Sequence, residues 1–296
     1  CSLLNDQVYA IPCLFVVGWR GEPGVKDEPQ HVFQGKITVE QLELLGIRTF
    51  ILDASVTEEQ FRRMFEEARS LLYQNKCAAF VVRKGGLTTE CHPAYPSAHS
   101  VTREQVLSLI ARQAGERDIF VSTTGKASRE LFEIRESMGL GHEKDFLTVG
   151  SMGHASMIAL GIALEKPDRR VWCLDGDGAA VMHLGSMAVL AKRAPTNLIH
   201  VILNNGAHET VGGMPVAQGV MSFAPIAKAM GYAETYRAET LSEMNEALLQ
   251  AQGRRELALI EMMCTLGARA DLGRPTTTPI QNRDAFMGWV KGGDDR

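Results

Sequence analysis

The chain has 296 residues, of which 45% are hydrophobic and 22% charged, a balance typical of a globular protein large enough for two domains. The net charge of −4 argues against a general binder of nucleic acid or anionic membranes. No apolar run reaches the roughly 20 residues of a membrane span, and the N-terminus lacks the pattern of a signal peptide. None of the six cysteines forms a C-x-x-C pair, so we expect free thiols and a location in the reducing cytoplasm.

The first part of the chain alternates apolar runs with helical patterns. In chain order, the sequence predicts a strand over 9–19, a polar loop over 20–31, a helix over 38–47, a strand over 49–54, a helix over 57–74 and a strand over 77–85. Thr38 and Thr57 are the expected N-caps of the two helices because a threonine hydroxyl can accept from a free backbone N–H. The segment 87–103, which carries two prolines and many small polar residues, is expected to be a linker between domains.

The alternation of strands and helices resumes after the linker. In chain order, the sequence predicts a helix over 102–114, a strand over 118–125, a helix over 126–138, a Gly-rich helix entry over 150–165, a strand over 170–175, a helix over 179–194, and strands over 197–203 and 257–265. Such alternation is typical of parallel sheets covered by helices on both faces. We therefore expect an α/β fold with two domains.

Polar residues follow two strands of one predicted strand–helix–strand unit in the second domain. Asp175 and Asp177 stand among glycines after the first strand, and Asn204 directly follows the second. Because the C-terminal ends of neighbouring parallel strands lie side by side, Asp177 and Asn204 would face one crevice. Their oxygens suit Mg²⁺, and Gly178 and the helix start near Ala179 suit an anion. The pattern predicts a site for a metal ion and a diphosphate.

Other loop types explain these residues less well. An EF-hand loop needs oxygen ligands at alternate positions, and Ala179 breaks that pattern. A Walker A loop needs Gly-Lys-Ser/Thr, which is absent, and a dinucleotide fingerprint has a third glycine where this chain has Val181. An acidic turn and an Asn-Gly turn without any ligand would explain either half alone. The occurrence of both at this spacing favours the metal site.

The "GDG" and "NN" motifs at this spacing resemble the cofactor motif of thiamine diphosphate-dependent decarboxylases. The segments "GWRGEPGVKDEPQHVFQGKIT" and "LNNGAHETVGG" are similar to the phosphonopyruvate decarboxylase family, and the likeness extends over nearly the whole chain. Sulfopyruvate decarboxylase is the related family that the same segments could indicate. The resemblance implies two parallel-sheet, three-layer α/β/α domains. They would be the C-terminal part of a pyrimidine-binding domain over 1–86 and a diphosphate-binding domain over 104–296, joined by the linker at 87–103.

The resemblance also implies which residues bind the cofactor and its metal ion. Mg²⁺ would be held by the side chains of Asp177 and Asn204 and by the carbonyl of Gly206. The residues implied in contacts with thiamine diphosphate are Thr124, Gly125, Gly150, Ser151, Met152, Gly178, Ala179 and Asn205. Among them, Met152 would support the bent form of the cofactor and the Gly150 carbonyl would meet its aminopyrimidine. Many relatives have serine where Ala179 stands, so one hydroxyl contact would be missing.

The implied reaction is the decarboxylation of 3-phosphonopyruvate to phosphonoacetaldehyde and CO₂, as part of phosphonate biosynthesis, with the cofactor taking up the electrons left by the departing CO₂. His31 and Gln34 fall where relatives carry catalytic residues. His31 would relay a proton, and Glu209 is a weaker candidate for that role. Arg20 would bind the phosphonate, since a guanidinium suits a multiply charged oxyanion, with Lys126 and His208 as lesser candidates.

One feature of the family has no counterpart in this sequence. Relatives activate the cofactor with a glutamate early in the pyrimidine-binding domain, whereas Glu22 and Glu28 lie in the wrong loop. We therefore expect that domain to be incomplete at its N-terminus, completed by a longer chain or by another polypeptide, and the chain alone to turn over poorly. A site between subunits would imply a homodimer or homotetramer. A non-catalytic subunit that binds the cofactor is the alternative from another class.

Overall fold

The structure is a computed structural model that describes residues 2–90, 97–216 and 221–292. The chain divides into two compact units, Cys1–Pro93 and Ala94–Arg296. The boundary between them falls inside the expected linker at 87–103, although residues 91–96 of that linker lie outside the described residues.

The first unit is built on a three-stranded parallel sheet with the strand order β1–β3–β2. Its elements are β1 (Leu14–Gly18), α1 (Pro29–Leu44), β2 (Arg48–Leu52), α2 (Glu58–Tyr73) and β3 (Ala78–Val82). On one face, Ala68 of α2 packs with Phe50 and Phe80 of the sheet. On the other face, Leu42 of α1 packs near Ala79. The unit therefore has one helix on each side of its sheet.

The helix α1 begins nine residues earlier than the sequence predicts, at Pro29 instead of Thr38. Proline suits the first turn of a helix because the N–H that it lacks would have no partner there. Thr38 lies inside the helix, where its hydroxyl donates to the carbonyl of Gln34 at 2.8 Å, so it caps nothing. As a result, His31 and Gln34 lie on a helix, and His31 does not belong to the loop expected over 20–31.

The second unit contains a six-stranded sheet with the order β10–β11–β7–β6–β4–β5, in which all pairs are parallel. The strands of this sheet are β4 (Ile119–Ser122), β5 (Asp145–Leu147), β6 (Val171–Gly176), β7 (Leu198–Asn204), β10 (Glu234–Ala238) and β11 (Ala258–Met263). A separate short antiparallel pair is formed by β8 (Ala207–His208) and β9 (Met214–Pro215). The helices are α3 (Arg103–Gln113), α4 (Lys126–Ser137), α5 (Ala155–Glu165), α6 (Asp177–Met182), α7 (Ser186–Arg193), α8 (Phe223–Met230), α9 (Leu241–Gly253) and α10 (Pro279–Gly292).

The central strands are apolar over nearly their whole length because helices cover both faces of the sheet. All seven residues of β7 are buried. On one face, Trp172 and Ile199 pack with residues of α3, α4 and α9. On the other, Cys173 and Ile202 pack with residues of α5, α7 and α8. The predicted three-layer α/β/α fold is confirmed, and among the described helices none combines the length and apolar content needed to cross a membrane.

The helix predicted over 179–194 is divided into two. α6 ends at Met182, and α7 begins after Gly185. Between them His183 leaves the helix, and its ring lies against Gly153 and 4.5 Å from the ring of His154, measured between centroids. This contact is made with a distant part of the chain, so the local helical pattern gives no sign of it.

The direction of the connections reverses between β4 and β6. From β4 the chain runs through α4, on one face of the sheet, to the edge strand β5. From β6 it runs through α6 and α7, on the other face, to β7. Adjacent strands whose connections diverge in this way leave a crevice beyond their C-terminal ends, where open α/β sheets bind ligands.

Candidate functional site

A cavity of about 110 Å³ lies at the C-terminal ends of β4, β6 and β7. Most of its walls come from the chain that follows these three strands, and Arg103 of α3 and Met152 complete them. The lining residues that the sequence singles out are Thr124, Lys126, Met152, Asp177, Gly178, Ala179, Asn205, His208 and Glu209. Gly125, Gly150, Ser151, Asn204 and Gly206 do not line it. A wider groove of about 790 Å³ between α3, α4 and α9 contains none of the predicted site residues.

Asp177 and Asn204 meet at one backbone group. Asp177 is the first residue of α6 and Asn204 the last of β7. The N–H of Gly206 donates to Asp177 Oδ2 at 2.6 Å and to Asn204 Oδ1 at 3.1 Å. The register of the sheet pairs Gly176 with Leu203, so the two side chains start from neighbouring strand ends. The structure therefore brings the two predicted metal ligands to the same place.

The chemistry of this donor set fits a divalent cation. Asp177 is only 4% exposed, and burial raises the pKa of its carboxyl to about 6, against the lowering effect of hydrogen bonds from Gly178 and Gly206. A buried carboxylate beside an amide oxygen is a site that Mg²⁺ would stabilise. The carbonyl of Gly206, the third predicted ligand, accepts from Val216 N–H at 2.9 Å and keeps a second lone pair.

Gly178 leaves bare backbone at the cavity wall. A Cβ atom at this position would lie 2.5 Å from Nδ1 of His208 and 3.3 Å from Cε of Met152. Any larger residue would therefore displace the two side chains that line the same wall. The missing Cβ lets a ligand approach the backbone closely.

The turn after β4 is joined to the segment that leads into α5. Thr124 Oγ1 accepts from the N–H of Gly150 at 3.0 Å. Gly125 precedes α4 with φ of +99°, a conformation that glycine adopts without strain. Gly150 and Ser151 both have positive φ, +72° and +47°, the second of which is uncommon for a residue other than glycine. These turns shape the chain that brings Met152 into the cavity.

A single carboxylate holds two cations at the cavity. Glu209 Oε2 lies 2.7 Å from Arg103 Nη1, and Oε1 lies 2.9 Å from Lys126 Nζ. Arg103 is 7% exposed and also pairs with both oxygens of Glu130 at 2.7 Å. Burial raises the pKa of Glu209, but the hydrogen bonds and charges of Arg103 and Lys126 outweigh it and hold that pKa below its usual value. The positive charges of Arg103 and Lys126 are thus balanced by the negative charges of Glu130 and Glu209.

A second polar cluster lies beneath the turn after β6. The donor atoms of Cys173, Asp175 and His200 lie within 4.8 Å of one another. The Nδ1 atom of His200 lies 3.2 Å from the hydroxyl of Tyr232, and Asp175 Oδ1 accepts from Gly176 N–H at 2.9 Å. All of these side chains are almost fully buried in the core. The cluster therefore supports the turn from below and does not line the cavity.

Three predicted residues, Arg20, His31 and Gln34, lie on the first unit. Arg20 is 57% exposed and donates to both oxygens of Asp27 at 2.8 and 2.5 Å, which lowers the pKa of the Asp27 carboxyl. Gln34 is exposed and donates to Gln41 at 2.9 Å, and His31 is half-buried. An anion that binds Arg20 would have to share the guanidinium with Asp27. The roles of these three residues remain predictions.

Two residues at the site are not among the sequence-based predictions. Glu261, on β11, is 1% exposed and accepts from Asn204 Nδ2 at 2.9 Å. Arg103 lies in the first turn of α3 and lines the cavity. Each carries a signal that could have drawn attention to it. Glu261 is the one charged residue of an otherwise apolar strand, and a cation in the first turn of a helix opposes the helix dipole.

Residues 124–262 match the family described as "Thiamine pyrophosphate enzyme, C-terminal TPP binding domain". The chain is 32% identical to the phosphonopyruvate decarboxylase of Streptomyces viridochromogenes, over 98% of this chain and 75% of that protein. It is 39% identical to the sulfopyruvate decarboxylase subunit beta of Methanothermobacter thermautotrophicus, over 40% of this chain and 60% of that one. A solved structure of a putative thiamin diphosphate-dependent enzyme from Mycobacterium smegmatis aligns with a TM-score of 0.49 and 20% identity. That alignment covers 62% of this chain and 35% of the solved one, so the chain spans about a third of that protein's length.

The extent of these matches separates the two groups of decarboxylases. The likeness to the phosphonopyruvate decarboxylase runs along almost the entire chain, whereas the likeness to the sulfopyruvate decarboxylase subunit covers less than half of it. The matched cofactor-binding segment also contains Thr124, both motif residues Asp177 and Asn204, and most of the cavity wall. The chain therefore belongs to the phosphonopyruvate decarboxylase family of thiamine pyrophosphate-dependent enzymes.

Proposed function

We propose that this chain takes part in the decarboxylation of 3-phosphonopyruvate to phosphonoacetaldehyde and CO₂, a step of phosphonate biosynthesis, with thiamine diphosphate and Mg²⁺ held by the second unit. The observation that carries the proposal is the convergence of Asp177 and Asn204 on the N–H of Gly206. Asp177 also lines the cavity beside the bare backbone of Gly178. The nearly full-length likeness to a phosphonopyruvate decarboxylase supports the choice of substrate.

The cofactor would be held by three strand ends. Asp177, Asn204 and the Gly206 carbonyl are the proposed Mg²⁺ ligands. The diphosphate would be met by the backbone of the turns that follow β4 and β6 and by Asn205, and the aminopyrimidine by the Gly150 carbonyl and the neighbouring Ser151. Met152, which lines the cavity beside Gly178, would support the bent form of the cofactor. Ala179 offers no hydroxyl, so the backbone alone would serve at that position.

The chemistry that thiamine diphosphate supplies when bound is a sink for the electron pair released on loss of CO₂. The chain must bind the anionic tail of the substrate, exclude water and place a proton. Lys126 and His208 line the cavity and are the proposed contacts of the phosphonate there. Arg20, on the first unit, is a separate candidate for binding the phosphonate. Because Lys126 is paired with Glu209 at 2.9 Å, a phosphonate would have to compete with that carboxylate.

The two candidate proton donors differ in their surroundings. Glu209 is held ionised by Arg103 and Lys126, which lower the pKa of its carboxyl after burial has raised it. An ionised carboxylate that holds two cations suits the alignment of Lys126 better than the donation of a proton. His31, on α1, is therefore the proposed donor, with Gln34 one turn further along the same helix.

Kinetics on two substrates test the proposal. We expect slow turnover by the chain alone, but that turnover should depend on thiamine diphosphate and Mg²⁺ and should be faster with 3-phosphonopyruvate than with sulfopyruvate. A clear preference for sulfopyruvate would replace the proposed substrate by the one named for the Methanothermobacter relative. Cofactor binding in calorimetry without turnover of either acid would favour a subunit that binds the cofactor and needs another polypeptide for catalysis.

The proposal includes an assembly of at least two copies and a cytoplasmic location. The family resemblance implies an active site between subunits, and this implication supports the proposed assembly. Free thiols are the form that a reducing compartment maintains, and the cysteines of the described part of the chain, Cys13, Cys77, Cys173 and Cys264, are all free. Light scattering of the purified protein measures the number of copies, and a monomer with full activity would contradict the assembly.

A further inference from the structure

Glu261 accepts three hydrogen bonds from two parts of the second unit. Its Oε1 accepts from Asn204 Nδ2 at 2.9 Å. Its Oε2 accepts from the hydroxyl of Ser222 at 2.6 Å and from the N–H of Ala224 at 3.1 Å. The side chain is 1% exposed, so these contacts take the place of water. Glu261 therefore joins the end of β7 to the first turn of α8.

These contacts fix which end of the Asn204 amide faces Gly206 and the proposed metal site. A carboxylate that accepts on both oxygens can receive only the NH₂ end of an amide. The N–H of Gly206, on the other side of Asn204, can only donate, and it faces Oδ1 at 3.1 Å. Both neighbours therefore select the same orientation, in which Oδ1 points to the place where Asp177 also meets Gly206.

We propose that Glu261 is a positioning residue that keeps the oxygen of Asn204 turned toward the metal ion. The inference rests on the proposed function, since it assigns Asn204 as a ligand of Mg²⁺. Residues that orient metal ligands through hydrogen bonds affect metal binding although they do not touch the ion. Glu261 does so from a strand 57 residues further along the chain.

Glu261→Gln is the sharpest test because it keeps the size of the side chain. The introduced amide has one acceptor end and one donor end. Its oxygen must face the N–H of Ala224, which can only donate, so its NH₂ group faces Asn204. Asn204 then turns its oxygen inward and presents NH₂ to the metal site. We expect the affinity for Mg²⁺ at saturating thiamine diphosphate to fall about 10- to 100-fold, measured by titration calorimetry.

Ser222→Ala provides the matched control. It removes another donor from the same carboxylate but leaves Oε1 facing Asn204, so the affinity for Mg²⁺ should stay at the level of the unsubstituted chain. The melting temperatures of both variants without metal report any general loss of stability. A fall in Mg²⁺ affinity that is equal in the two variants would overturn the inference, because it would trace to the packing of α8.

A second substitution separates orientation from general damage. Asn204→Asp replaces the amide by a carboxylate with two equivalent oxygens, so either can face the ion. With Glu261→Gln present, it should restore Mg²⁺ binding, because one oxygen accepts from the new NH₂ group while the other faces the metal. With Glu261 intact, it places two buried carboxylates against each other and should weaken binding. This rescue requires non-additive effects, which two independent structural defects would not produce.

Three results decide the matter. Weak binding by Glu261→Gln that Asn204→Asp restores supports the inference. Binding by Glu261→Gln equal to that of the unsubstituted chain, or a double variant weaker than both single variants, overturns it while the proposed function stands. Failure of the unsubstituted chain to bind thiamine diphosphate with Mg²⁺ overturns the proposed function and this inference together.

Discussion

Replacing Asp177 by asparagine should change how the stability of the metal-free chain depends on pH. Burial raises the pKa of the Asp177 carboxyl from 3.8 to about 6, so the folded state binds this proton more tightly than the unfolded chain. The stability that the proton contributes is fully present below pH 3.8 and is lost as the pH rises through 6. Above pH 6, the chain without metal holds a buried charge that opposes folding.

The size of the effect follows from the shift. A rise of about two pKa units corresponds to about 3 kcal/mol, at about 1.4 kcal/mol for each unit, and solvent screens little of it because the side chain is buried. The asparagine variant does not titrate here. Its unfolding free energy relative to the unsubstituted chain should therefore rise by about 3 kcal/mol across this pH window.

A hydrogen bond is also lost, but at every pH. Asp177 accepts from Gly178 N–H at 2.7 Å and from Gly206 N–H at 2.6 Å, whereas asparagine has one acceptor oxygen. The N–H of Gly206 keeps Asn204 Oδ1 as an acceptor at 3.1 Å, so the lost hydrogen bond costs about 0.5–1.5 kcal/mol. The lost hydrogen bond lowers the unfolding free energy of the variant by the same amount at every pH. The quantity to measure is therefore the rise with pH in the unfolding free energy of the variant relative to that of the unsubstituted chain.

Urea unfolding followed by circular dichroism, with a chelator present, measures this difference. Asp168→Asn is the control, since Asp168 is an exposed carboxylate of the same unit, paired with Arg117 at 2.8 Å. Curves for Asp177→Asn and the unsubstituted chain that stay parallel from acid to neutral pH would refute the reasoning. Mg²⁺ with thiamine diphosphate should stabilise the unsubstituted chain and leave the variant unchanged.

Three further substitutions give separate predictions. Gly178→Ala puts a Cβ 2.5 Å from the ring of His208 and should weaken thiamine diphosphate binding in calorimetry. Gly185→Ala is the control, because its Cβ would meet open space and should leave the affinity unchanged. Equal affinities of the two variants would contradict the role of the bare Gly178 backbone in cofactor binding. Arg103→Ala leaves the buried carboxylate of Glu130 without its cation and should lower the unfolding free energy of the second unit by about 3–5 kcal/mol in urea. A loss below about 1 kcal/mol would show that solvent reaches the Arg103–Glu130 pair. Thr57→Ala removes the capping box of α2 and should lower the stability of the first unit by about 1 kcal/mol. Hydrogen exchange should then be faster at the amides of the first turn of α2, and unchanged exchange would contradict the prediction.

The sequence predicts those parts of the fold whose causes are local. The capping box at Thr57 and the apolar face that follows it place α2 within one residue of its observed ends. β6 and β7 are recognisable because strands buried on both faces are continuously apolar. The start of α1 at Pro29 and the break at His183 are missed because each depends on contacts or on chain geometry that lie outside the repeating pattern of apolar residues.

The same distinction applies within the site. Asp177 and Asn204 can be predicted because both belong to one strand–helix–strand unit, whose neighbouring strand ends must meet whatever the rest of the sheet does. Glu261 cannot be predicted in this way. It reaches Asn204 only because β11 lies between β7 and β10, and periodicity indicates that a strand exists without indicating its neighbours. A motif in the sequence can therefore indicate the proposed metal ligands, while the residue proposed to orient one of them depends on the strand order.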